Sequence, residues 1–462
     1  MTLNTLPFLA LFLPISLIVA LFLPERFRNG GLFLLSLIFY AWGGIWQLLL
    51  LLSAVLVDYF CGRLIGTFQK TPQKAKVVLI FNIIFSVLLL GVFKYSSMAV
   101  DTADYLFDLS ISAPTLILPL GISFFTFRSI SYGVDVLRGD SPVQKNLIDF
   151  GLYLTFFPQI TAGPIVRYRD FEPQLKNHPV TLQKVSYGLT RFGIGLFKKV
   201  LIADLLAQIS ARVQFYEEPS ALAAWIGALA FTFEIYFDFS GYSDMAIGLS
   251  EVFGFKTPEN FLHPYESLSV SEFWRRWHVT LGAWFREYIY IPLGGNRRGT
   301  ARTIWNLFVV WLLTGFWHGA SWNFVLWGLY YGILIMLEKF PLKNFWGRLP
   351  KGICWFYAFL AEVLGWVVFS HTDLVRAVSA LGAMFGSAPG IDSLGLYLLS
   401  TAWPLLLISA VFCTEFPHRL FLKMCRSVPG KIIWSAGFAV LLLLSLSAMA
   451  GNGFTTFLYA KF

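Results

Sequence analysis

Charge is scarce in this sequence. Asp, Glu, Lys and Arg make up only 13% of its 462 residues, against about 25% in ordinary soluble domains, too little to dress a water-facing surface of this size. Cysteine is rarer still. Cys61, Cys354, Cys413 and Cys425 show no C-x-x-C spacing, which argues against a disulfide framework or a cysteine metal site and leaves them as packing residues. The H-E-x-x-H, G-x-S-x-G and Walker A patterns are missing too, so zincin, serine-hydrolase and nucleotide-hydrolase chemistry lose their footing. The lack of an internal repeat counts against inverted-repeat transporters.

Apolar surface takes the place of charge: 57% of residues are hydrophobic, 18% are aromatic and mean hydropathy is +0.66. This is the composition of an integral membrane protein. Apolar runs recur at 31 to 57, 77 to 93, 115 to 127, 303 to 337, 353 to 369 and 430 to 450. They predict an all-α polytopic fold of roughly 9–12 transmembrane or re-entrant helices, forming a single membrane-embedded domain over 1 to 462. The opening run "TLPFLALFLPISLIVALFLP" lacks a basic leader region and a small-residue cleavage site, so it reads as a retained helix. The net charge of +9 fits positive-inside loops better than nucleic-acid binding. "PERFRNGG", "FQKTPQKAK" and "GGNRRGTAR" are the basic loops, whereas "SSMAVDTADYLFDLS" is acidic and is expected outside.

From 119 to 323 the apolar segments are broken by Pro, Gly and ionisable residues. Irregular backbone at membrane depth is tolerated only where protein or water covers it, so this stretch is expected to form a catalytic funnel or tunnel. Within it, "SEFWRRWHVTLGAWFREYIYIPLGGNRRG" (271 to 299) gathers seven formal charges and one histidine in 29 positions. Read as one helix to near Tyr290, it carries Trp274, Trp277, Leu281, Trp284, Phe285 and Tyr288 on one face. Arg275 and Arg286 share another, and His278 sits at the border. Such a helix belongs at the membrane surface or at a funnel mouth, and its arginines suit either solvated anchoring or a polyanionic ligand.

His318, in "WLLTGFWHGASWNFVLWGLYYG", has no charged residue within ten positions on either side. An ionisable group deep in an apolar helix is a functional hypothesis by default, and a neutral imidazole there suits a general base. The alternative is a histidine bonded to Thr314 that only packs the bundle. Gly315, Gly319 and Ala320 leave space beside the ring, and Asn323 and Ser321 are near enough in sequence to orient it. Glu234, Asp238 and Asp244, in "FEIYFDFSGYSD", read as partners of buried arginines, with Ser240 and Asp244 capping a helix that restarts after Gly241. Arg128 with Asp135, and Arg167 and Arg169, read as structural pairs.

The segments "EFWRRWHVTLGAWFREYIYIPLGGNRRG", "IYFDFSGYSDMAIGL", "FFPQITAGPIVRY", "GLFKKVLIAD" and "TGFWHGASWNFVLWGLYYG" together resemble the membrane-bound O-acyltransferases, in particular the bacterial branch that O-acetylates alginate and peptidoglycan. The resemblance runs from "NGGLFLLSLIFYAW" to "FLYAKF" and implies a many-helix fold around a funnel or tunnel. It implies that His318 is the catalytic histidine of the WHG-type motif and His278 the second histidine, orienting the donor or stabilising the oxyanion. It also implies acetyl-CoA as donor and no tightly bound cofactor or metal. Arg275, Arg276, Arg297 and Arg298 would meet the phosphates, and a periplasmic SGNH-type acetyltransferase would be the partner in a bacterial inner membrane. The chain departs from the pattern at "WVVFSHTD", with Ser370 and His371 where many relatives carry arginine. The rival class is an acyl or polysaccharide transporter, or a scaffold, without bond-making chemistry.

Sidedness gives the first prediction. In a background lacking the native cysteines, single cysteines at Gln73, Thr300 and Thr102 are labelled on intact cells with a membrane-impermeant thiol reagent. Only Thr102→Cys should react, because basic short loops stay cytoplasmic. Labelling of Thr300→Cys from outside would put the arginine-rich segment in the wrong compartment for coenzyme A.

Overall fold

Backbone N–H and C=O groups in lipid must be satisfied within the protein, and among the described residues every regular element is helical. The computed structural model describes residues 1–462 apart from 217, 372, 452–456 and 459–462. Six helices among them are long and apolar enough to cross a membrane: Ile45–Thr67, Pro72–Phe107, Ala221–Val252, Lys351–Ser370, Ser393–Phe412 and Val428–Gly451. Phe8–Phe22 and Leu374–Ser387 are apolar but shorter. The run 303 to 337 divides into Thr300–His318 and Trp322–Lys339, where Trp, Asn and Thr dilute the aliphatic residues. The aromatic tail, "GFTTFLYAKF", lies outside the described residues except for Phe457 and Leu458.

Burial separates the spans by role. The apolar window of Ala221–Val252 is 83% buried and that of Val428–Gly451 only 6%, so the first can carry carboxylates at a depth where the second cannot. Ala221–Val252 runs unbroken through Gly241, which corrects the expected restart capped by Ser240 and Asp244. Gly241 instead permits close packing: a Cβ there would lie 2.8 Å from the Gly195 carbonyl oxygen.

The chain divides into two compact units. The first comprises Met1–Phe192 with Tyr242–Glu259. Its interior is aromatic, with Phe157 against Phe12 at 5.2 Å and Phe253 at 5.4 Å. Buried Arg128 donates to the Tyr153 carbonyl at 3.0 Å and to Gln159 Oε1 at 2.5 Å, rather than pairing with Asp135. Gln159 in turn donates to Ser250 and Thr257. Asp244 meets Arg191 at 2.9 Å, the arginine partner its sequence context predicts, and Arg167 pairs with Asp170.

The second unit comprises Gly193–Gly241 with Asn260–Leu458. Here Asp238 pairs with a lysine instead of an arginine: Lys199 Nζ lies 2.6 Å from Asp238 and 2.8 Å from Asp204. The Leu458 N–H donates to the other Asp238 oxygen, and Lys199 stands 4.9 Å from the Phe457 ring. Glu234 accepts from Ser210. The Thr300–His318 and Trp322–Lys339 helices cross at glycines: a Cβ on Gly315 would lie 2.5 Å from the Phe324 carbonyl oxygen, and one on Gly328 2.4 Å from that of Trp311. Close approach of this kind replaces the hydrophobic drive that lipid removes, so Gly315 serves helix packing and leaves no room beside His318.

Removing one partner of a buried ion pair strands the other. Lys199→Ala should lower stability by about 3–5 kcal/mol, read from thermal unfolding of the detergent-solubilised protein. Lys199→Met combined with Asp238→Leu should recover part of that loss, since Asp204 still loses its contact with Lys199, and a double variant no more stable than the single would place the defect in packing.

Candidate active site

The segment expected to form one helix from Ser271 to Tyr290 is three pieces. Val270–Arg276 and Val279–Phe285 are α-helical, Arg286–Tyr290 is a wider helical turn, and a break falls at Trp277–His278. The cause is long-range hydrogen bonding. A continuous helix needs the Val279 and Thr280 N–H groups to reach the Arg275 and Arg276 carbonyls. Instead the Val279 N–H donates to the Asn260 carbonyl at 3.0 Å, and the Leu262 N–H takes the Arg276 carbonyl at 2.9 Å. The Asn260 side-chain oxygen accepts from the Thr280 N–H at 3.3 Å and from the Thr280 hydroxyl at 2.8 Å. His278 Nδ1 lies 3.1 Å from the same oxygen.

His278 is thereby held at φ 42°, ψ 53°, in the left-handed region. A bulky residue there is strained, and such strain persists only where the surroundings over-determine it. The ring is 1% exposed, with Phe239 edge-on at 4.7 Å and Trp317 at 6.0 Å. Burial pushes its pKa down to about 3, so His278, which lies in none of the six spans, is neutral at physiological pH.

The start of the Val270–Arg276 helix is fixed with equal care. Glu338 accepts the Val270 and Ser271 N–H groups, one on each carboxylate oxygen, at 2.7 and 2.8 Å. Ser269 accepts from the Glu272 N–H and Glu272 reaches back to the Leu268 N–H, a reciprocal cap. Glu272 also holds Arg276 at 2.5 Å.

These pieces wall a cavity of about 650 Å³. Its buried lining includes Trp277, His278, Leu281 and Trp311, and the exposed Arg275, Arg286, Lys339 and Lys343 also line it. Four cations against the single Glu338 carboxylate make a site for an anionic ligand with an apolar portion. Arg276 is turned to Glu272, and Arg297 and Arg298 stand exposed in the turn around Gly294 and Gly295; none of the three lines the cavity.

His318 lies beyond it. Leu307, Val310, Trp311 and Thr314 form the lining stripe of the Thr300–His318 helix, and at helical spacing His318 is the next position, one turn of about 5.4 Å further. Its ring is 2% exposed and sits edge-on to Trp327 at 4.8 Å and Phe369 at 5.4 Å. The Trp317 ring, 4.9 Å from His318, contacts both histidines. Thr314 donates to the Val310 carbonyl. Asn323 donates to the backbone carbonyls of Val368 and His371, so the two departing residues, Ser370 and His371, lie at the helix end that Asn323 secures. Ser321 precedes the Trp322–Lys339 helix as its flanking residue.

The structure thus brings Arg275 and His278 into one cavity and sets His318 one turn past it. Sequence reading passed over Asn260, Arg286 as a cavity residue, Lys339, Lys343 and Glu338. Lys339 and Lys343 look like ordinary helix-end cations, and Asn260 sits in a loop eighteen positions from the residue it holds. No signal in the sequence marks that pairing.

Comparison with known proteins adds independent findings. The family described as MBOAT, membrane-bound O-acyltransferase family, matches residues 38–370. A probable alginate O-acetylase of Pseudomonas putida is 42% identical over 382 residues, covering 82% of this chain and 79% of its own. A peptidoglycan O-acetyltransferase of Helicobacter pylori is 36% identical over 421 residues, covering 83% and 79%. A teichoic acid D-alanyltransferase of Bacillus subtilis is 29% identical over 251 residues, covering 50% and 62%.

Proposed function

Because the chain belongs to the membrane-bound O-acyltransferase family, we propose that it takes an acetyl group from acetyl-CoA and passes it across the bacterial inner membrane for O-acetylation of an exported or cell-wall polysaccharide. The polymer is of the alginate or peptidoglycan type, and a periplasmic SGNH-type acetyltransferase is the partner. The relatives differ in polymer and in acyl group, as their names state, which leaves acyl transfer as the common step.

The observation that carries this reading is the cavity, which runs from four exposed cations to buried His278 and ends one helical turn short of His318. In this reading Arg275, Arg286, Lys339 and Lys343 hold the phosphates of coenzyme A, and the tryptophan-lined interior takes the pantetheine arm. The acceptor hydroxyl attacks the thioester carbonyl: its O–H bond breaks, a C–O bond forms and the C–S bond breaks. His318 takes the proton and returns it to the departing sulfur. The aromatic enclosure of His318 excludes water that would hydrolyse the thioester.

His318→Ala should lower acetyl transfer by about 10²–10⁴-fold while the protein remains folded and inserted, measured as release of free coenzyme A from labelled acetyl-CoA with acceptor present. Near-wild-type turnover would remove His318 as the base.

Cation removal should act on donor binding. Arg275→Gln, Arg286→Gln, Lys339→Gln and Lys343→Gln should each raise the donor KM with little change in kcat. Added salt should reproduce the effect, since exposed charges are screened beyond roughly 8 Å at physiological ionic strength. A fall in kcat at unchanged KM would assign these residues to helix anchoring instead.

A further inference from the structure

We propose that Asn260 is a positioning residue that holds His278 as the Nδ1-protonated tautomer, so that Nε2 meets the acyl donor as a hydrogen-bond acceptor and not as a hydrogen-bond donor. The inference rests on the cavity being the donor site.

The argument starts from Thr280. A backbone N–H can only donate, and that of Thr280 lies 3.3 Å from the Asn260 side-chain atom facing it, with the Thr280 hydroxyl 2.8 Å from the same atom. That atom is therefore the amide oxygen, because an NH₂ group would oppose the N–H. An oxygen acceptor 3.1 Å from His278 Nδ1 requires that nitrogen to carry the hydrogen. In a neutral imidazole the lone pair then belongs to Nε2. Burial keeps the ring neutral.

Two consequences follow for the chemistry. A neutral ring in this tautomer has no N–H at Nε2 to offer a developing oxyanion, which closes one of the two roles open to His278. It suits the other role: accepting a hydrogen bond from an amide N–H of the pantetheine arm and so fixing the reach of the thioester toward His318. The ring cannot turn over to exchange its nitrogens easily, because the left-handed backbone and the Phe239 and Trp317 rings fix its position. Asparagine also differs from aspartate at this place in a useful way. A neutral oxygen sets the tautomer without stabilising the charged imidazolium.

The test is spectroscopic. Protein carrying ¹⁵N-histidine is placed in lipid nanodiscs without acetyl-CoA, and a His278→Gln variant identifies the His278 signals. The expected spectrum shows hydrogen on Nδ1 and none on Nε2. Asn260→Asp, which keeps an oxygen acceptor, should keep hydrogen on Nδ1, and its carboxylate should favour a second hydrogen on Nε2. Asn260→Leu should give a mixture of tautomers and a donor KM raised by about tenfold, the scale of one hydrogen bond, with kcat moving less. An Nε2-protonated or doubly protonated His278 in the unsubstituted protein overturns the proposal whether or not any variant folds. So does an Asn260→Leu protein that keeps the single tautomer. The spectrum is read without turnover, so a preparation with the expected tautomer and no acetyl transfer supports the assignment of Asn260 and counts against acetyl-CoA as the donor.

Discussion

The contest between two sets of hydrogen bonds at Arg276–Thr280 shapes the site. Helical partners three or four residues away compete with Asn260 and Leu262, and the distant partners hold the Arg276 carbonyl and the Val279 and Thr280 N–H groups. The outcome divides an amphipathic helix into two short ones and holds His278 in a backbone conformation that its side chain disfavours. It also puts His278 and Arg275 on the wall of one cavity. Glu338 completes the arrangement by satisfying the first N–H groups of the Val270–Arg276 helix, which would otherwise be orphan donors.

Polar groups elsewhere obey the same constraint. In a protein this apolar, a buried charge or amide without a partner costs several kcal/mol, and three that stand out have specific counterparts. Lys199 answers Asp238, Arg191 answers Asp244, and Arg128 is held by Gln159, itself tied to Ser250 and Thr257. These pairs stiffen the interior of each unit.

The two histidines stand in different surroundings. His278 has its tautomer set by an amide oxygen and borders the cavity, whereas His318 is enclosed by Trp317, Trp327 and Phe369 one helical turn deeper. Trp317 is in contact with both rings.

Composition and periodicity by themselves determined that the chain is a helical membrane protein, and the motifs determined its family, because apolar run length and local residue order are properties of the sequence alone. His318 is conspicuous in the sequence for the same reason, with ten uncharged residues on either side. Arg275 was legible as a charge beside an aromatic stripe. Which cations gather around the cavity was not, since Arg297 and Arg298 look the same in sequence as Arg275 and Arg286, while Lys339 and Lys343 come from two helices some sixty positions away. The unbroken course of Ala221–Val252 through Gly241, and the break at His278 where helical periodicity runs on, were likewise decided by tertiary structure. In both places the backbone conformation is set by what packs against it or bonds to it from a distant segment, and the free-energy difference between a local and a long-range hydrogen bond is too small for the local sequence to settle.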